Sequence, residues 1–96
     1  MLYAAKSFWP GITPQEFERG AGLRLRRMRG DGDNRAAYVG SIVFADDELV
    51  LCLFRASSAS GVRRSAELAG IPCERVMEST WFPADRRSPL KLRRGR

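Results

Sequence analysis

Histidine is absent from this 96-residue chain. No nucleophile can be activated by imidazole here, and no metal site can be built on imidazole nitrogen. Cysteine is nearly absent as well. Cys52 and Cys73 are too few for a disulfide framework and do not form a C-x-x-C pair, so zinc-ribbon and thioredoxin-like redox chemistry have no support. No run reaches the ~18 apolar residues of a membrane helix. The start, MLYAAKSFWPG, lacks the charged region and long apolar stretch of a secretory signal. A cytoplasmic protein with both thiols reduced and no membrane insertion is therefore expected. No glycine-rich anion loop follows the first strand-like segment, and no general base stands out among scattered carboxylates. These absences point to a binding protein before an enzyme.

The residues present describe one small globular domain, with 44% hydrophobic and 29% charged residues. The net charge of +6 is unevenly placed. Residues 83–96 hold Arg86, Arg87, Lys91, Arg93, Arg94 and Arg96 against Asp85, a net +5, which leaves +1 for residues 1–82. We read 1–82 as the folded domain and 83–96 as a basic C-terminal tail, too poor in large apolar groups to offset the entropy of ordering it. Its six cations could neutralise phosphates. Without interleaved aromatics, any nucleic-acid binding would be weak and non-specific. A solubilising end is the simpler reading. A second basic cluster, Arg24, Arg26, Arg27 and Arg29, falls where the first helix should end, at the negative pole of its dipole.

Element order follows from local signals. Leu2 to Phe8 is a short apolar strand ended by the turn signal Trp9-Pro10-Gly11. Thr13-Pro14-Gln15-Glu16 opens a helix as a capping box with proline at the first helical position, and Ile12 and Phe17 occupy the positions of a hydrophobic staple. Phe17, Ala21, Leu25 and Met28 share one face of that helix. Gly20 and Gly22 weaken it, and Gly30-Asp31-Gly32-Asp33-Asn34 stops it. Ala36–Phe44 and Leu49–Phe54 read as a hairpin across Ala45-Asp46-Asp47-Glu48. Ser57 and Ser58 offer caps for a second helix with Val62, Ala66 and Ala69 on one face. Gly70 and Pro72 end that helix, and Val76–Phe82 is the last strand. The order β-α-β-β-α-β predicts a ferredoxin-like α+β sandwich: a four-stranded antiparallel sheet with two helices on one face.

The hairpin strands are apolar on both faces. Leu49, Leu51 and Leu53 oppose Val50, Cys52 and Phe54, while Val39 and Val43 oppose Tyr38, Ile42 and Phe44. Two helices cover one face only. With no spare element in the chain, the expected cover is a second copy, giving a homodimer of the α+β-barrel type.

Two stretches carry a family resemblance. Trp9-Pro10-Gly11-Ile12-Thr13-Pro14-Gln15-Glu16-Phe17 is similar to a "PGxTPEE" start of a first helix. Leu51-Cys52-Leu53-Phe54-Arg55-Ala56-Ser57-Ser58, Gly61-Val62-Arg63-Arg64-Ser65-Ala66 and Ala69-Gly70-Ile71-Pro72 resemble "YCVFxAPSxExVRExAxxAGxP". Both belong to a small ferredoxin-like family often labelled nickel-binding protein or domain of unknown function. The resemblance spans most of residues 2–80 and implies a dimerising ferredoxin-like domain. It also implies metal binding in members with a histidine in a "VREHA" pattern. Ser65 stands at that position here, and Lys6 stands where many relatives carry a glutamate. Serine is a poor ligand for nickel, and a cation opposes cation binding. No cofactor is expected from the residues themselves, and nickel enters only through the resemblance.

The candidate site residues are few. Tyr38, Cys52 and Ser65 are the candidates for a ligand cleft between the second helix and the sheet. Each has a plain structural reading: a strand tyrosine with its tip in solvent, a small buried thiol, and a small residue that lets helix and sheet approach. Trp9 and Trp81 at strand ends should close the core. Cys73, after Pro72, should be exposed. Asp46, Asp47 and Glu48 lack the oxygen count of a calcium loop and read as solvated turn residues. The expected function is a dimeric binding or interaction module without the family's metal site. A small cofactor-independent enzyme with an apolar cleft that takes a small-molecule ligand is the alternative. A nucleic-acid recognition-motif domain is disfavoured, because Glu48–Phe54 lacks the required aromatic pattern.

Overall fold

The computed structural model describes residues 1–28 and 36–85. The predicted helix stop at Gly30-Asp31-Gly32-Asp33-Asn34, together with Arg29 and the tail cations Arg86, Arg87, Lys91, Arg93, Arg94 and Arg96, lies outside them. Strand β1 (Leu2–Phe8) leads through a turn into helices α1 (Pro14–Arg19) and α2 (Ala21–Arg27). Strand β2 (Ala36–Phe44), a 3-10 turn (Ala45–Asp47) and strand β3 (Leu49–Ala56) make the hairpin, followed by helix α3 (Ala59–Leu68) and strand β4 (Arg75–Ser79). The sheet order is β2-β3-β1-β4 with every neighbouring pair antiparallel. This is the ferredoxin-like arrangement expected from the element order, with α1 and α2 together in the place of the first helix.

The first helix is broken, where a continuous one was expected. Thr13 caps α1 through Oγ1, which accepts from the Glu16 amide at 3.1 Å, and Ile12 and Phe17 are both buried. At Gly20 the backbone leaves the helical region (φ −106°, ψ −102°). The reason lies two residues on. A Cβ on Gly22 would sit 2.9 Å from Cε2 of Phe17 and 3.0 Å from its carbonyl oxygen, so the Phe17 ring packs directly on the Gly22 backbone. The break lets Phe17 cover α2 while Ala21 and Leu25 still bury.

The end of α3 is a Schellman motif. Gly70 adopts φ +77°, its amide donates to the Glu67 carbonyl, and the Ile71 amide donates to that of Ala66. Arg24 of α2 reinforces it: its Nε donates to the Ala69 carbonyl at 2.8 Å, and its guanidinium lies where a Gly70 side chain would be. Strand β4 ends at Ser79 rather than at Phe82. Its partner β1 begins at Leu2, which pairs with Ser79, so no ladder remains for Trp81 and Phe82 to join.

The register sorts the sheet into two faces. Tyr3, Ala5 and Ser7 of β1 pair with Phe54, Cys52 and Val50 of β3 on the face under the helices. Apart from Ser7, a buried polar residue, they form the core with Leu25, Val62, Ala66 and Ile71. On β2, a bulge between Tyr38 and Gly40 inserts Val39 and shifts the alternation by one residue. Tyr38 therefore pairs with Phe54 and packs on the core side with Ser41 and Val43, whereas Ile42 and Phe44 stay on the open face. The simple alternation that put Tyr38, Ile42 and Phe44 together is corrected by that extra residue.

Candidate functional site

A polar chain is threaded through the core side of the hairpin. Ser41 and Cys52 are direct cross-strand partners, and the Ser41 hydroxyl donates to Cys52 Sγ at 3.2 Å. Tyr38 and Ser41 are joined hydroxyl to hydroxyl. Ser41 has one hydroxyl proton and gives it to sulfur, so the Tyr38 hydroxyl is the donor in that pair. The Tyr38 ring is held from behind by Phe54, with centroids 5.6 Å apart. Cys52 is fully buried. Burial pushes its thiol up from 9.0 to about 11, against the opposing pull of the Ser41 hydrogen bond. Burial also raises the Tyr38 phenol, while the Ser41 bond and the positive charge of Arg26 pull the other way.

Beside Tyr38 a cleft of about 530 Å³ opens between the end of α2 and the edge strand β2. Leu25, Arg26 and Met28 line it from the helix, and Ala36, Tyr38 and Val39 from the strand. Of the three candidate residues, the structure links Tyr38 and Cys52 through Ser41. Ser65 is buried on α3 on the same face as Val62 and Ala66 and does not line this cleft. The cleft therefore lies against the first helix, not the second. Arg26, Ser41 and the Val39 bulge were missed. The available signal was Gly40, an isolated glycine inside a strand, which marks a bulge.

The other singled-out residues fall elsewhere. Trp9 meets the Phe17 ring edge-on at 6.2 Å and packs against the core. Trp81 is 44% exposed and closes nothing. Cys73 is half-buried rather than exposed, and burial raises its thiol despite nearby Arg63. At the hairpin tip, Glu48 adopts the left-handed conformation (φ 53°) and its carboxylate accepts from the Gly11 amide at 2.9 Å. It ties the hairpin to the turn after β1 and is more than a solvated turn residue. Lys6 pairs with Glu74 at 3.8 Å and lies 5.1 Å over the Phe8 ring.

Among the described residues, no three cysteine, aspartate or glutamate side chains gather where they could hold a metal ion. Cys52 is a buried, protonated thiol already engaged by Ser41, and Ser65 contributes no soft donor. The donor set of the described residues does not fit a nickel ion. No helix among the described residues is long and apolar enough to cross a membrane.

Comparison with known proteins agrees with the architecture. Residues 6–78 match the family described as nickel responsive protein SCO4226-like. The crystal structure of SCO4226 from Streptomyces coelicolor A3(2) superposes with a TM-score of 0.70 at 18% identity, over 86% of this chain and 100% of that one. At that identity the likeness is one of fold. None of the curated proteins matches the chain.

Proposed function

Because the chain belongs to the SCO4226-like family of nickel responsive proteins, we propose that it is a homodimeric binding module of that family without an imidazole-based metal site. One observation carries the dimer: the sheet face away from the helices presents a row of apolar side chains beside Lys6, Arg55 and Arg75, and no described helix covers it. Phe8, Ile42 and Phe44 are exposed on it, and Leu49 and Leu51 are half-buried between them. Four strands of this length span on the order of 500 Å² in projection, from strand spacing and rise. The accessible area is larger and approaches the ~800 Å² per partner of a standard interface. A second copy is the occupant that presents the same apolar face in return.

The metal side of the reading rests on donor chemistry. The family's name carries nickel, but the residues here supply neither imidazole nor a free thiolate near neutral pH. Light scattering on the eluting full chain should give a dimer at micromolar concentration. A calorimetric titration with nickel should give no site of micromolar affinity. A stable monomer would overturn the first half of the proposal, and micromolar nickel binding would overturn the second.

A further inference from the structure

The cleft beside α2 has a composition that selects a ligand. Among the described residues that line it, Arg26 is the one charged side chain and none is a carboxylate. Leu25, Met28, Ala36 and Val39 supply apolar walls, and Tyr38 supplies an aromatic one. The volume lies within the ~300–1,000 Å³ of small-molecule sites. The geometry points to a binding site for an aryl carboxylate, with the guanidinium of Arg26 on the carboxylate and the aromatic body against the Tyr38 ring. This rests on the reading of the chain as a binding module. It does not require the dimer, because Tyr38 packs on the helix side of the sheet.

The ligand class follows from what each group can still do. A guanidinium is planar and takes a carboxylate through two parallel N–H bonds. Among the described residues one cation stands between apolar walls, which matches a monoanion better than a multiply charged phosphate ester. The Tyr38 hydroxyl is turned away from service to a ligand by its bond to Ser41, which is itself bonded to Cys52. What Tyr38 offers the cleft is a ring held in one orientation, fixed by that polar chain and by Phe54 behind it. A held ring stacks on a planar body with little further loss of freedom. The Val39 bulge sets this up, because the same residues paired in strict alternation would put Tyr38 on the opposite face of the sheet.

The test is a calorimetric titration of the full chain with 2-naphthoate, repeated by following the Tyr38 ring resonances. Submillimolar binding with shifts at Tyr38 is expected. Arg26→Gln should weaken it about tenfold or more, the size of one lost charge-assisted pair. Tyr38→Leu should weaken it too, and decanoate and the neutral 2-naphthalenemethanol should bind less well. Arg64→Gln, on the exposed side of α3, should change nothing. Absence of binding at millimolar naphthoate would overturn the proposal. So would binding that Arg26→Gln leaves intact, or that Arg64→Gln weakens equally. Light scattering on the same samples reads the oligomeric state separately, so failure of the dimer and failure of the site are distinguishable.

Discussion

Phe44→Lys is the sharpest test of the sheet face proposed to pair with a second copy. Phe44 lies on the edge strand β2, opposite Leu49, and is 39% exposed. A phenylalanine offers roughly 200 Å², so about 80 Å² of this ring remains for a partner to cover. In a twofold dimer the residue occurs twice, and at ~25 cal/mol/Å² the two rings contribute about 4 kcal/mol to association. A lysine stem recovers part of that by lying along the apolar surface, which brings the expected loss to about 2–4 kcal/mol. The dissociation constant should therefore rise roughly thirtyfold to a thousandfold. Sedimentation equilibrium over a concentration series measures it directly. Phe44 is outside the core cluster, so the thermal midpoint extrapolated to the monomer should move little. Leu68→Lys is the matched control, since Leu68 is 69% exposed on α3 and outside the open face. An unchanged dissociation constant for Phe44→Lys, or an equal loss for Leu68→Lys, would refute the assignment of the interface to this face.

Three further outcomes follow from the packing. Gly22→Ala forces a methyl to 2.9 Å from the Phe17 ring, and overpacking of this kind costs about 1–3 kcal/mol against ~1 kcal/mol gained in helix propensity. In a Phe17→Leu background the part due to the ring should be relieved while the 3.0 Å approach to the carbonyl of residue 17 remains, so a double-mutant cycle on thermal midpoints should detect a smaller penalty. Arg24→Ala removes the bond from Nε to the Ala69 carbonyl. About 1 kcal/mol of stability should go with it, and hydrogen exchange at the Ile71 amide should quicken. Cys52 holds its proton more tightly folded (about 11) than unfolded (9.0). Its contribution is thus complete below about pH 9 and lost as pH rises through about 11. Denaturant midpoints of wild type should fall over that window, and those of Cys52→Ala should fall less. An equal fall in both would exclude Cys52 as the cause.

Much of the fold was legible because its signals are local. The Thr13 cap with Pro14, the Ser58 cap and the Gly70 stop each depend on residues within one turn of chain, and each forms as the spacing predicts. What was not legible depends on contacts across the fold. The helix breaks at Gly20 because of how Phe17 meets Gly22, and a periodicity count treats both glycines only as weak helix formers. Strand β4 stops at Ser79 because β1 begins at Leu2, which the composition of Val76–Phe82 does not reveal.

The candidate site turns on a single residue. Strict alternation along Ala36–Phe44 places Tyr38 with Ile42 and Phe44 on the open face. The extra residue at Val39 changes the parity, and the tyrosine crosses to the core side, where Ser41 and Cys52 wait across the ladder. A one-residue slip moves every side chain before it to the other face of a sheet. The bulge thereby separates the two roles proposed for the hairpin. It leaves Ile42 and Phe44 on the face proposed to be closed by a second copy. It gives Tyr38 to the cleft beside Arg26, on the far side of the sheet. A variant with Val39 deleted loses the bulge but keeps Tyr38 opposite Phe54 and Gly40 opposite Leu53, so the tyrosine stays on the core side. Deleting Gly40 as well changes the parity and turns Tyr38 to the open face. If the placement of Tyr38 is what serves the cleft, naphthoate binding should survive the single deletion better than the double one, with the dimer retained in both. Equal loss of binding in the two variants would refute that role.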